Sequence, residues 1–194
     1  MVGQVTEFPV AQGFPGTPPG FPGNAMARGS DGNVWFSTNN PVTIGRITPA
    51  GQVTQFADPT AGATLAGDFT LGSDGNVWFL DMQGFNPSQV ERIGRITPAG
   101  QISEFLIPAF KGNRVSVNLM TLGSDGNIWF TSNTFVGRGT VSNGFIGRVT
   151  TAGQISEFGT PTAVSFPADI TLGSDGNIWF NEDAAHAVGR ILTH

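Results

Sequence analysis

The sequence predicts an all-β fold, a β-propeller of four four-stranded blades per chain. Three observations carry that reading. One three-part motif occurs four times along the 194 residues, its period is that of a propeller blade, and its strands carry apolar groups on both faces. The first part is Gly-Gln-(Val/Ile)-(Thr/Ser)-(Glu/Gln)-Phe, beginning at Gly3, Gly51, Gly100 and Gly153. The second is Gly-Ser-Asp-Gly-Asn-(Val/Ile)-Trp-Phe, with its acid at Asp31, Asp74, Asp125 and Asp175. The third is (Ile/Val)-Gly-Arg-(Ile/Val), with Arg46, Arg95, Arg148 and Arg190. The whole reads as one domain over 1–194, with repeats at approximately 9–56, 57–105, 106–158 and 159–194 plus 1–8.

Each repeat supplies its strands in a fixed order. A first strand, ending at Leu71-Gly72, Leu122-Gly123 or Leu172-Gly173, lines the central channel. Ser-Asp-Gly-Asn then forms a tight turn, because Asp, Gly and Asn tolerate positive φ or cap their own backbone. The second strand follows, as in Asn76 to Leu80. Side chains alternate along it, so Val77 and Phe79 face one way and Trp78 the other. A lone antiparallel sheet shows one polar face, whereas apolar groups on both faces fit sheets covered by neighbouring blades. The stretch Ile93 to Thr97 is the third strand, and Pro98-Ala99-Gly100 turns the chain into the outer strand Gln101 to Phe105.

The phase of the repeat predicts how the ring closes. The chain opens on an outer strand, Gln4 to Phe8, and its last motif is a third strand, Val188 to Leu192. The last blade is therefore expected to take the N-terminal strand as its fourth. This happens either in cis, as a four-bladed ring, or in trans, as an eight-bladed homodimer. A fragment of a longer propeller is a third arrangement. Closure removes exposed sheet edges that invite aggregation.

Composition narrows the function classes. Charged residues make up 12%, against about 25% in a typical soluble domain. The net charge is −5 and Lys111 is the sole lysine, so no basic stripe exists to meet phosphates and no nucleic-acid partner is expected. The chain has no cysteine, which excludes disulfides and thiolate chemistry. No apolar run is long enough for a membrane helix. The expectation is a soluble protein, cytoplasmic or secreted with its signal removed.

The repeats Gly-Ser-Asp-Gly-Asn-Ile-Trp-Phe, Ile-Gly-Arg-Ile-Thr-Pro-Ala-Gly and Gly-Gln-Ile-Ser-Glu-Phe resemble those of the streptogramin B lyase (virginiamycin B lyase) family over nearly the whole chain. The resemblance implies a seven-bladed relative that opens a cyclic depsipeptide by Mg²⁺-assisted elimination at an ester bond. Four blades depart from that pattern. Family blades commonly continue Trp-Phe-Thr-Glu, and here the Glu position holds Thr38, Asp81, Ser132 and Glu182. Only the last blade keeps Glu, in a segment that also carries Asp183 and His186. If the family's chemistry survives, Glu182 is the metal-binding carboxylate, with Mg²⁺ as cofactor, and His186 is the general base.

The two readings are thus a binding or structural scaffold without a complete catalytic site and a Mg²⁺-dependent carbon–oxygen lyase. In either case the working face is the one gathering the dissimilar segments, Pro9 to Asn24, Leu80 to Arg92 and Thr131 to Phe145, read as long loops. Irregular loops on a rigid scaffold are where binding resides. On that face Asp81, Phe85, Asn86, Arg92, Phe135, Arg138, Asn143 and Asp183 offer aromatic surface, hydrogen bonds and charge to a small molecule or peptide. The four Asp of the Asp-Gly turns are read as turn formers, since one carboxylate per turn is too few for calcium. The four Arg are read as structural contacts with Trp or with Glu7, Glu104 and Glu157.

Overall fold

A computed structural model describes residues 3, 5–10, 25–39, 42–60, 63–83, 90–109, 113–136 and 140–193. They form four antiparallel sheets, each a blade in chain order. Blade I holds β1 (Met26–Arg28), β2 (Val34–Asn39), β3 (Val42–Ile47) and β4 (Val53–Ala57). Blade II holds β5 (Ala63–Leu71), β6 (Val77–Gln83), β7 (Val90–Ile96) and β8 (Ile102–Leu106). Blade III holds β9 (Arg114–Leu122), β10 (Ile128–Val136), β11 (Thr140–Val149) and β12 (Ile155–Gly159). Blade IV holds β13 (Pro167–Leu172), β14 (Ile178–Glu182) and β15 (Ala187–Ile191), with a 3-10 turn at Asp183–Ala185. Among the described residues no helix is long and apolar enough to cross a membrane.

The alternation expected along the second strands decides which blade touches which. Val77 and Phe79 pack with Trp35, Ile44 and Phe69 between blades I and II. Trp78 and Leu80, on the opposite face, pack with Val117, Ile128 and Phe130 between blades II and III. Trp129 repeats the arrangement against Ile178 and Phe180 of blade IV. Each blade thus sends its Trp forward and its Val/Ile and Phe backward. Burying side chains of this size contributes about 1.5–3 kcal/mol apiece. The Phe of each second strand lies on the Gly opposite it, as Phe79 does on Gly94, a close approach that no side chain would allow.

The polar motif residues form a unit inside each blade. Asp74 accepts the Asn76 N–H at 3.2 Å and the Trp78 indole N–H at 3.1 Å. Arg95 lies 3.6 Å from the same carboxylate, and its guanidinium covers both the Trp78 and Phe105 rings at 5.5 Å. Turn formation by the four Asp is therefore confirmed. The Arg partners are Trp and Asp. The outer-strand acids are not among them, because Arg95 pairs with Ser103 and its neighbour Glu104 faces the other side of the sheet.

A motif serine ties each blade to the next, and a motif arginine adds a second bond at the first two junctions. The Ser30 hydroxyl donates to the Gly75 carbonyl, Ser73 to Gly126 and Ser124 to Gly176. Arg46 donates to the Pro98 carbonyl and Arg95 to that of Thr151, each at 2.7 Å.

Two expectations change. Thr131 to Phe145 is mostly a long hairpin of β10 and β11, and the Leu80 to Arg92 segment gives up its ends to β6 and β7. Cis closure of blade IV is not observed either. β15 is the last strand of its sheet, and residues 5–10 join no sheet. Phe8 instead lies against Gly51 of blade I.

Candidate functional site

The sequence-derived positions fall into three groups. Phe85, Asn86 and Arg138 lie outside the described residues, as does 11–24 of the Pro9 to Asn24 segment. Phe135 and Asn143 are half-buried in the hairpin of blade III, where the Asn143 N–H and C=O both bond the Thr134 hydroxyl. Asp81 and Arg92, by contrast, are cross-strand neighbours on β6 and β7 and come together.

The last-blade pair is not assembled. Glu182 is buried at 5% exposure, facing blade III with Ile178 and Phe180, and its Oε1 has no hydrogen-bond partner. His186 is exposed, at the end of the 3-10 turn, in the left-handed region with φ 51°. No hydrogen bond or ion pair links the two among the described residues. Asp183 is exposed and accepts a hydrogen bond from the Asn181 amide at 2.8 Å. Among those residues Glu182 belongs to no group of three acids or imidazoles whose ligand atoms approach within 4.8 Å.

A different acidic group is assembled. Asp58, on the connection after β4, meets Asp81 of β6 and Glu104 of β8, with carboxylate oxygens all within 4.8 Å of one another. Each arrives for a local reason. Asp81 has the parity of Val77 and Phe79 and so points toward blade I. Glu104 alternates with Phe105, which packs on Trp78 on the other side. Asp58 is held by an Asx-type turn, its Oδ1 accepting the Thr60 N–H at 2.7 Å. The Thr60 hydroxyl then donates to Glu104 Oε2 at 2.6 Å.

Asp81 is fully buried, and neither of its oxygens has a hydrogen-bond partner. Asp58 Oδ2 and Glu104 Oε1 are likewise buried and unbonded. The nearby cation is Arg92, 3.7 Å from Asp81 and turned by a 2.9 Å bond to the Gln83 side-chain oxygen. Burial, then the charges of Asp58 and Glu104, push the Asp81 carboxyl up to about 7 against the pull of Arg92. Burial raises Asp58 as well. Such a site holds either protons or a hard cation, since buried charge must be neutralised. Asp58 was absent from the sequence reading, and Glu104 entered only as a candidate partner for Arg95.

Comparison with known proteins agrees with the repeat. The sequence profile of the virginiamycin B lyase family matches residues 1–194. The solved virginiamycin B lyase of Staphylococcus aureus is 31% identical, with a TM-score of 0.51 over 89% of this chain and 67% of the lyase. A calcium-binding protein, regucalcin from Agrobacterium tumefaciens, is 18% identical with a TM-score of 0.54. That match covers 98% of this chain and 60% of regucalcin, and at such identity it is a likeness of fold alone. Among curated proteins none matches. With the blade motifs in place and the profile matched from end to end, this chain belongs to the virginiamycin B lyase family.

Proposed function

We propose that the chain is a lyase-family propeller scaffold working as a binding module, without a complete catalytic site in one chain. Its ligand in this reading is a divalent cation held between blades I and II. The observation that carries the reading is Asp81, fully buried with both oxygens unbonded and facing Asp58 and Glu104. Three ionised carboxylates against one guanidinium leave two negative charges, which one divalent cation neutralises. An all-oxygen donor set suits Ca²⁺, Mn²⁺ or Mg²⁺ and disfavours metals that want nitrogen or sulfur.

Titration with Tb³⁺, followed by Trp-sensitised emission and by competition with Ca²⁺ and Mn²⁺, tests this. One saturable site per chain is expected, abolished in Asp81→Asn and Glu104→Gln and unchanged in a Glu182→Ala, His186→Ala variant. Absence of saturable binding at millimolar cation would overturn it.

Family membership keeps a second reading in view, a Mg²⁺-dependent carbon–oxygen lyase acting on a cyclic depsipeptide. Elimination needs a base near neutral pH and a metal to steady developing enolate charge. No hydrogen bond or ion pair joins Glu182 to His186 among the described residues, which favours the scaffold reading. Incubation with a type B streptogramin and Mg²⁺ distinguishes the readings by mass spectrometry. The scaffold reading expects intact substrate. A linear product of unchanged mass would establish the lyase, and a product heavier by one water would indicate hydrolysis.

A further inference from the structure

Taking the carboxylate group between blades I and II as a cation site, the reading proposed above, we infer that Arg92 is its resident counter-ion. The guanidinium and an incoming divalent cation compete for Asp81. The hydrogen bond from Arg92 to Gln83 holds the guanidinium back and so sets how tightly the site takes a cation. Affinity is then controlled by two side chains outside the carboxylate group itself.

All the groups concerned leave one face of blade II. Asp81 and Gln83 stand two apart on β6, Arg92 lies opposite Asp81 on β7, and Glu104 leaves the same face of β8. Arg92 Nη2 donates to Gln83 Oε1 at 2.9 Å. Its Nη1 is 3.7 Å from Asp81 Oδ2, beyond hydrogen-bond length. Nη1 and both Asp81 oxygens are buried, and none of the three has a hydrogen-bond partner. A donor and its acceptors, of opposite charge, thus stand side by side without bonding. Left to itself such a pair closes, because a buried charge held off its partner is costly and an Arg–carboxylate bond is among the stronger ones. The bond to Gln83 is what keeps this pair open.

The other blades show that the arrangement is no part of making a blade. The place opposite Asp81 is held by Thr43 in blade I, Phe145 in blade III and Ala187 in blade IV, facing Thr38, Ser132 and Glu182. In blade I the two hydroxyls bond at 2.6 Å, and blade IV sets an alanine against its buried acid. Blade II alone sets a guanidinium there. Placed for pairing only, Arg92 would bond Asp81. Placed where it is, it offsets one of three negative charges and leaves the oxygens open to a cation. Its side chain is 19% exposed while that of Asp81 is 0%, so the guanidinium, unlike the acid, can withdraw toward solvent when a cation enters.

Titration of the full chain with Tb³⁺ and Ca²⁺ tests this in wild type, Arg92→Met, Gln83→Leu and the variant carrying both changes. Arg92→Met keeps the stem without the charge and should bind at least about tenfold tighter, since attraction to the ion grows with the net charge of the site. Gln83→Leu lets the guanidinium close on Asp81 and should bind at least about tenfold weaker, the worth of one hydrogen bond to a charged group. The double variant should match Arg92→Met, because Gln83 acts through Arg92 alone. Urea unfolding in chelator and in Ca²⁺ checks that each variant is folded, and Arg92→Met should gain more from Ca²⁺ than wild type does. Equal affinities in wild type and Arg92→Met would overturn the inference and leave the cation reading standing. So would a double variant as weak as Gln83→Leu, which would make Gln83 a ligand or a folding residue. Binding in Arg92→Met but not in wild type would uphold Arg92 as the competitor and overturn the cation reading of the natural chain. Absence of saturable binding in all four would overturn both.

Discussion

Asp81→Asn is the perturbation that most directly tests whether the carboxylate group between blades I and II is under electrostatic load. Asp81 titrates at about 7 in the folded chain against an ordinary value of 3.8. A carboxyl raised on folding binds more protons in the native state than in the unfolded one. Stability is therefore greatest below the unfolded value and falls as pH rises from about 4 to about 7. Three pKa steps at about 1.4 kcal/mol each set an upper bound of about 4 kcal/mol lost above pH 7. Asn keeps the shape without the charge, so the variant should gain up to that amount at pH 8 and almost nothing at pH 4. Urea unfolding followed by Trp fluorescence, at both pH values and with chelator present, measures the difference. Adding Ca²⁺ at pH 8 should then restore the wild type and leave the variant unmoved, because a cation bound only by the native state stabilises it by mass action. A variant less stable than wild type at pH 8 in chelator would refute the reasoning. It would mean that the pairing of ionised Asp81 with Arg92 outweighs desolvation.

Three further outcomes follow from the blade unit and the last hairpin. Gly94→Ala places a Cβ inside 3.0 Å of the Phe79 ring, and overpacking of this kind should cost about 1–3 kcal/mol by urea unfolding. Asp125→Ala leaves the buried Trp129 indole N–H, now bonded at 3.0 Å, without its acceptor. It should cost about 1–3 kcal/mol, whereas Asp175→Ala should cost clearly less, because Trp179 is only half-buried. His186→Gly relieves a left-handed backbone at φ 51° and should raise stability by about 0.5–1 kcal/mol. A loss of stability there would show that the imidazole makes a contact the geometry does not contain.

Much of the blade was legible because its signals are local. The Val77-Trp78-Phe79 alternation gave the two packed faces, and Asp-Gly-Asn gave the turn. The same alternation, carried one strand further, would have separated Arg95 from Glu104. Those two side chains leave opposite faces of the sheet, and Arg95 turns to Asp74. The blade III hairpin stands where the dissimilar sequence predicts a loop, although Thr131 to Val136 is rich in residues that favour strands. The acidic group was not legible for a different reason. Asp58 belongs to a connection and Glu104 to the far edge of the next blade, so nothing in their spacing brings them together. A weak signal existed in Glu104 standing where blade I has Gln55.

The repeat motif recurs so closely because its Asp, Arg and Trp polar groups are engaged in making blades. Asp takes the Asn and Trp N–H groups, Arg neutralises that Asp and covers two rings, and its remaining hydrogen bond reaches the next blade. Residues engaged in this way have little left for a ligand, so the motif identifies a fold and is silent on chemistry. Chemistry has to sit where the blades differ at a shared place. One such place stands two residues past the second-strand Phe, always facing the preceding blade. Thr38 there bonds Thr43, and Ser132 bonds the Ser116 carbonyl at 2.8 Å. Asp81 and Glu182, at the same place, are buried acids with unbonded oxygens. A fold that tolerates hydroxyls at this position has no structural need for acids there. At Asp81 burial and the neighbouring acids push the carboxyl up to about 7, a load on the fold that the cation proposed between blades I and II would relieve.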